Sequence, residues 1–542
     1  MNKLNWKNIL SIFLIFIAVV TQLVAEDDFE NRSLPEKSFT IVESTQKHEL
    51  NPHITTNSHD STILNGLFEG LFSYNPVTLE PYPAIATDYR ISRDKKRWTI
   101  TIREDAKFSN GEKITAQSVR ECWLRLLSTP KAPYASLLDI IRGAKEFRNG
   151  TGSEQDVGIY PASETKLSIY LTKPANYLAK VLCHSSFSIT HPEPDVYSGA
   201  FQLKSVMNGI YTLEKNPYYW DSKNVFMENV FFVQSDDAEE NVYLYNTGNA
   251  DWITANVYSE KIIDKDAIQI NAEFATMYYF FKNSSKKQAD FVSENGENVW
   301  DYPEFRNAVL EAIPWDVFRK NASVPATTFV YPLTGYPTVE GFSYTDEFEA
   351  SLKMKEARQK YDIPQEQILV LEFLITKYTL SDEAKQAFSD ALLPLGVELK
   401  FTEVNPYSYL AEVGKSNADL FAYNWIGDFA DPLAFLELFR SDSSLNDSGW
   451  KNEQFDALLD KAAVVSANER LELLAQAENL LLDSGMVIPI MHPVCFNVVD
   501  SKEIGGWFAN AFDVHPLKYI YRKIVTIQHL KSKTKSRCFY KS

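Results

Sequence analysis

The stretch Tyr423-Asn424-Trp425-Ile426-Gly427-Asp428-Phe429 sets one carboxylate beside an indole and among further aromatic side chains. That combination suits capture of a cation: the aromatic wall limits water, and a charge-assisted bond then counts for more. The same residues also read as a plain turn, with Asp428 capping the approach to Asp431-Pro432. Three histidines, His48, His53 and His59, lie close together and have the chemistry of metal ligands. Their spacings of five and six do not place them on one helix face, and loop or cleft histidines are the plainer reading. Cys183-His184 is a neighbouring pair, and adjacent side chains rarely meet as nucleophile and base. Phosphate-loop, dinucleotide, His-Glu-x-x-His and Gly-x-Ser-x-Gly motifs are all missing. The expectation is a binding protein with no catalytic residues, no cofactor and no metal.

The 542 residues carry a net charge of −18, with 45% apolar and 23% charged residues. This is globular composition, long enough for several domains. The acidity speaks against nucleic acid as a partner, since such a surface needs a basic face. At the N-terminus, Lys3 and Lys7 precede an apolar run from Ile9 to Val20, then Leu23-Val24-Ala25 and the acidic Glu26-Asp27-Asp28. This pattern predicts a signal peptide at 1–25, cut after Ala25, and a periplasmic protein. The run is shorter than the roughly 20 residues of a membrane-spanning helix. Cys122, Cys183, Cys495 and Cys538 form no metal-type pair, which leaves disulfides or free buried thiols.

Periodicity supplies the elements that must position these residues. Strands are expected at Phe39–Val42, Trp98–Arg103, Lys166–Leu171, Val230–Val233 and Met277–Phe281. Helices are expected at Asp60–Leu71, from a Thr115 cap to Leu127, and at Phe305–Ile313, Glu347–Tyr361, Glu383–Leu393 and Phe455–Ser484. Strands interleaved with helices give an α/β fold with mixed sheets. The segment after Tyr521, with Lys531, Lys533, Lys535, Arg537 and Lys541, reads as a basic tail.

Several motifs, in order, carry a resemblance. Leu50-Asn51-Pro52-His53 is followed by Leu67-Phe68-Glu69-Gly70-Leu71. Phe108-Ser109-Asn110-Gly111-Glu112, Arg142-Gly143-Ala144-Lys145-Glu146-Phe147 and Glu214-Lys215-Asn216-Pro217-Tyr218-Tyr219-Trp220 come next. Gly248-Asn249-Ala250-Asp251 and Trp425 through Pro432 complete the set. From about residue 38 to about 523 the chain resembles the oligopeptide- and dipeptide-binding proteins of bacterial ABC importers. It departs from them at Asn51, where an Asp is common, and at Pro314, where their helix continues.

The resemblance implies a two-lobed periplasmic-binding-protein-like fold with a hinge and a third, smaller domain. It assigns 38–70, 189–280 and 504–523 to the first lobe, 71–188 to the smaller domain and 281–503 to the second lobe, with the tail at 524–542. It also implies that short peptides lie in the cleft, paired by backbone to Asn424-Trp425-Ile426 on one side and Thr56-Asn57-Ser58 on the other. Asp428 would hold the peptide's amino terminus. The implied partner is an ABC transporter membrane permease, and the protein is expected to be a monomer. A different ligand (metal chelate, haem or murein peptide), or a surface or sensory role, is the alternative.

Overall fold

The computed structural model describes residues 37–523, apart from 56–57, 131, 284–297, 428, 444 and 466. The expected signal peptide at 1–25, the basic tail at 524–542, Thr56, Asn57, Asp428 and Cys538 lie outside the described residues.

Two large sheets organise the chain. The first has the strand order Ile268–Ala272, Val494–Val499, Trp252–Ile253, Ser38–Glu43, Asn229–Gln234, Ile210–Lys215, Phe201–Met207. Ser38–Glu43 is buried along its whole length and pairs in parallel with its neighbours on both sides. A parallel strand covered on both faces needs apolar side chains pointing both ways. Phe39 and Ile41 accordingly join Ile63, Leu67, Leu213 and Trp252, while Val42 joins Val242, Ile253 and Ile262 on the opposite face.

The second sheet runs Val324–Pro325, Val487–His492, Ala275–Phe281, Leu420–Ile426, Leu369–Ile375, Val397–Glu403. Ala275–Phe281 is paired on both edges and almost wholly buried, as its aromatic composition predicts. A smaller antiparallel sheet of Ala86–Ile91, Arg97–Ile102, Lys166–Tyr170 and Ile159–Ser163 carries the helix Ala116–Ser128. That helix starts as expected: Thr115 Oγ1 accepts from Ser118 N at 3.2 Å, and Ser118 Oγ accepts from Thr115 N at 3.1 Å. The fold is α/β with mixed sheets and two lobes.

The chain passes from the first sheet to the second between Ala272 and Ala275, and returns between His492 and Val494. Two helix expectations change. The helix expected over Asp60–Leu71 is confined to Ser61–Leu67, because Glu69 turns away to meet Tyr219, Trp220 and Lys518. The helix expected over Phe455–Ser484 is two, Glu453–Ala462 and Ala467–Asp483. Side chains capture the carbonyls at the break: Arg470 takes Ala462 O at 3.1 Å, and Lys95 and Asn176 take Val465 O at 3.1 and 3.2 Å. Satisfied terminal carbonyls are what a helix end requires. Cys122, Cys183 and Cys495 are free and buried, so the thiol reading holds for these three. Among the described residues no helix is long and apolar enough to cross a membrane.

Candidate ligand-binding site

Leu420–Ile426 starts inside the second lobe and runs out to its surface. Leu420 and Phe421 are buried, Trp425 is half-buried, and Asn424 and Ile426 are exposed. One edge of the strand is fully engaged, from Leu420↔Phe281 to Ile426↔Ala275. The other edge is not. Its ladder to Leu369–Ile375 is the single pair Phe373↔Leu420. Ala422 N then donates to the Tyr409 hydroxyl at 2.8 Å, pointing away from 275–281. Backbone groups alternate between the two edges of a strand, so Asn424 and Ile426 turn their N–H and C=O groups the same way as Ala422. Beside them, among the described residues, no strand closes the sheet. An open edge of this kind accepts an extended chain by strand addition.

Packing holds this edge in place. Trp425 Nε1 donates to Ala434 O at 2.8 Å, so its polar end is used within the protein and only its ring remains for a ligand. Tyr423 donates its hydroxyl to Asp447 at 2.7 Å, and burial, then Asp447, push its pKa far up. Gly427 N donates to Phe274 O at 2.8 Å, and a Cβ at 427 would stand 2.2 Å from Phe274 Cε1. Phe274 in turn packs against Phe435, Phe512 and Tyr331. Only a residue without a side chain allows that approach.

Asp431 is committed elsewhere. Arg470 Nη2 donates to it at 2.6 Å, Leu433 N donates to it at 3.0 Å, and both charged side chains are buried. Asp431 thus caps the turn at Pro432. The smaller domain reaches this block through Lys180, which donates to Ala430 O at 2.8 Å and lies 3.8 Å from Asp431. Tyr177 stacks on Phe429 beside it.

The structure brings Asn424, Trp425 and Ile426 together on one strand end. Ser58 opens the short helical turn Ser58–Asp60. The histidines part company. His53 Nε2 sits 3.6 Å from Cys122 Sγ, and burial, followed by Arg125, lowers its pKa to about 4. His48 and His59 instead stack with ring centroids 4.5 Å apart, next to Glu43. Sequence reasoning weighed these two and missed Glu43; an acid ending a strand buried on both faces was the available signal. Cys183 and His184 face different partners, Ala179 O and the Tyr134 ring. Burial lowers the His184 pKa to about 4 and raises that of Cys183, the reverse of a thiolate–imidazolium pair.

Two of the sequence motifs meet in the first lobe. Glu69 accepts from Tyr219 OH, Trp220 Nε1 and Lys518 Nζ, each at 2.6 Å. Burial opposes the charge on Lys518, but Glu69 and Tyr519 together outweigh it and hold the ammonium above its ordinary pKa. This network fastens an early, a middle and a C-terminal piece of chain into one lobe.

A two-lobed α/β protein with an open strand edge on one lobe has the form of an extracytoplasmic binding protein. The family model of the bacterial extracellular solute-binding proteins, family 5 Middle, matches residues 80–447, and the chain belongs to that family. It is 26% identical over 482 residues to the dipeptide-binding protein DppE of Bacillus subtilis, covering 84% of this chain and 86% of that one. It is 26% identical to the periplasmic oligopeptide-binding protein OppA of Salmonella typhimurium, over 96% of this chain and 100% of the relative. Among solved structures, the Escherichia coli murein tripeptide binding protein MppA superposes with a TM-score of 0.69 at 21% identity, covering 90% of this chain and 98% of that one. Haemophilus influenzae OppA in complex with RPPGFSPFR gives 0.68 at 20% identity, covering 90% and 99%.

Proposed function

We propose that this protein is a periplasmic receptor for short peptides, which it binds by backbone and amino terminus and passes to an ABC transporter permease. The observation that carries the reading is the open edge at Asn424 and Ile426, one residue short of Gly427-Asp428. A peptide added to that edge pairs through main-chain groups, which are the same in every sequence. The Trp425 ring offers apolar surface without demanding a particular side chain. Asp428, two residues past the paired edge, holds the α-ammonium, and Thr56-Asn57-Ser58 pairs with the peptide from the first lobe. A charge-assisted bond of this type contributes about 1.5–3 kcal/mol, enough to fix register without reading sequence. The names of the relatives, which are dipeptide-, oligopeptide- and murein-peptide-binding proteins, support a peptide as ligand. The protein acts as a monomer, without catalysis, and reaches the periplasm through the signal peptide at 1–25.

Substitution tests the assignment. Asp428→Asn keeps the shape and removes the charge, and peptide affinity falls about tenfold or more, the loss of one charged hydrogen bond. Unchanged affinity in calorimetry removes Asp428 from the site.

A further inference from the structure

Glu43, His48 and His59 bring one carboxylate oxygen and two ring nitrogens within 4.8 Å of one another. His48 Nε2 lies 2.6 Å and His59 Nε2 3.6 Å from Glu43 Oε1. On its other side, His48 Nδ1 lies 3.0 Å from Asp60 Oδ1. Asp60 is itself fixed by Thr55, whose hydroxyl donates to Oδ2 at 2.5 Å. The side chains of Glu43, His48 and Asp60 are at most 4% exposed, and that of His59 is 16% exposed.

Both ring nitrogens of His48 lie at hydrogen-bond distance from carboxylates, and the His59 ring stacks on it with Nε2 toward the same Glu43 oxygen. Gln234 Nε2 also donates to Glu43 Oε1, at 3.5 Å. Among the described residues no lysine or arginine pairs with Glu43 or Asp60. Two imidazole nitrogens and a buried carboxylate oxygen converging on one point are the donor set of a divalent cation.

We propose that Glu43 Oε1, His48 Nε2 and His59 Nε2 form a site for one divalent transition-metal ion of the zinc type. The ion binds where a proton on His48 Nε2 would sit, and any such proton leaves to solvent. Mixed imidazole and carboxylate donors, three from the protein with a fourth position for water, suit zinc. Asp60 accepts from His48 Nδ1 and holds the ring with Nε2 toward the ion, the usual supporting arrangement for a ligating histidine. Bonds of about 2.0–2.2 Å set neighbouring donors about 3.3 Å apart. Glu43 and His48 therefore separate slightly, and His59, the more exposed ring, tilts out of its 12° stack on His48. The ion ties the end of the central strand Ser38–Glu43 to the turn Ser58–Asp60. The ligands Glu43, His48 and His59 are distinct from the residues proposed to hold the peptide, although Ser58 of the tied turn is one of the latter.

Chelator-treated full-length protein, titrated with Zn2+ and then desalted, is expected to retain one zinc per chain by elemental analysis. Co2+ in its place gives the intense visible bands of a four-coordinate nitrogen–oxygen site. His59→Ala, which leaves Glu43, His48 and Asp60 in place, weakens zinc binding by on the order of 100-fold and abolishes the bands. Should that variant misfold, His59→Asn is read the same way. His191→Gln removes an imidazole that pairs with Glu112 away from the cluster, and leaves zinc retention and the Co2+ bands unchanged. No retained zinc, a weak six-coordinate Co2+ spectrum, or equal zinc binding by wild type and His59→Ala would overturn the site.

Discussion

Glu478 is a buried acid of the second lobe. It accepts from Val330 N at 2.7 Å and Tyr336 OH at 2.8 Å, yet burial outweighs both donors and pushes its pKa up to about 7. Asp419, which accepts from Glu372 N and Asn298 Nδ2, is pushed up by burial to about 6. A raised carboxyl binds its proton more tightly when folded. Its contribution is fully present below the ordinary value of 4.5 and is lost as pH rises towards 7. For Glu478 the difference is about 3 kcal/mol at most. Thermal unfolding followed from below pH 4.5 to above pH 7 is expected to show a decline that Glu478→Gln reduces. An identical slope in the variant contradicts this. None of it was legible in the sequence, where Glu478 is one acid within a helix. Its burial depends on the loop around Phe329 and Val330 arriving from far away in the chain. By contrast, Trp425 and Asp428 stand out by local composition, an acid among aromatic residues, and the resemblance adds Asn424 and Ile426 as an expected pairing segment, neither step needing the fold.

At the scale of elements, the strand Leu420–Ile426 matters through its backbone more than its side chains. Ile426→Pro removes the N–H from the open edge, at a position where proline is tolerated because no neighbouring strand accepts from it. Peptide affinity should fall about tenfold, the loss of a hydrogen bond, while Ile426→Val should leave it nearly unchanged. The reverse order, with valine harmful and proline harmless, would mean that the side chain does the binding. The existence of most elements was legible in the sequence. Ser38–Glu43, Arg97–Ile102 and Ala275–Phe281 followed from their apolar patterns, and Ala116–Ser128 from its Thr115 cap. Where elements stop was less legible. The ends at Leu67 and Ala462 are set by Tyr219, Trp220 and Lys518, and by Lys95, Asn176 and Arg470, which are remote in sequence. Which edge of 420–426 stays open was also beyond reach, since pairing partners are not encoded locally.

The whole molecule hangs on two crossings. Residues 273–274 and Pro493 carry the chain between the large sheets, and Glu273 N donates to Pro493 O at 2.8 Å, so the two passages run side by side. Few residues at a crossing can absorb the rotation of one lobe on the other, as hinge closure requires. The C-terminal return reinforces the first lobe, with Arg522 donating to Ser38 O and Asp251, each at 2.9 Å. Lys180 and Tyr177 bring the smaller domain against the block that follows Trp425. A peptide seated on the 424–426 edge would thus touch the second lobe, near its junction with the smaller domain. The resemblance gave this architecture from ordered motifs, and the Glu69 network gives the physical reason that those motifs occur together. The most direct test of the central claim is calorimetric titration of the intact protein with tri- to pentapeptides, each free and N-acetylated. Peptide capture through backbone and amino terminus predicts binding across unrelated sequences and about tenfold or greater loss on acetylation. Equal affinity for free and acetylated peptides, or no binding of either, would contradict it.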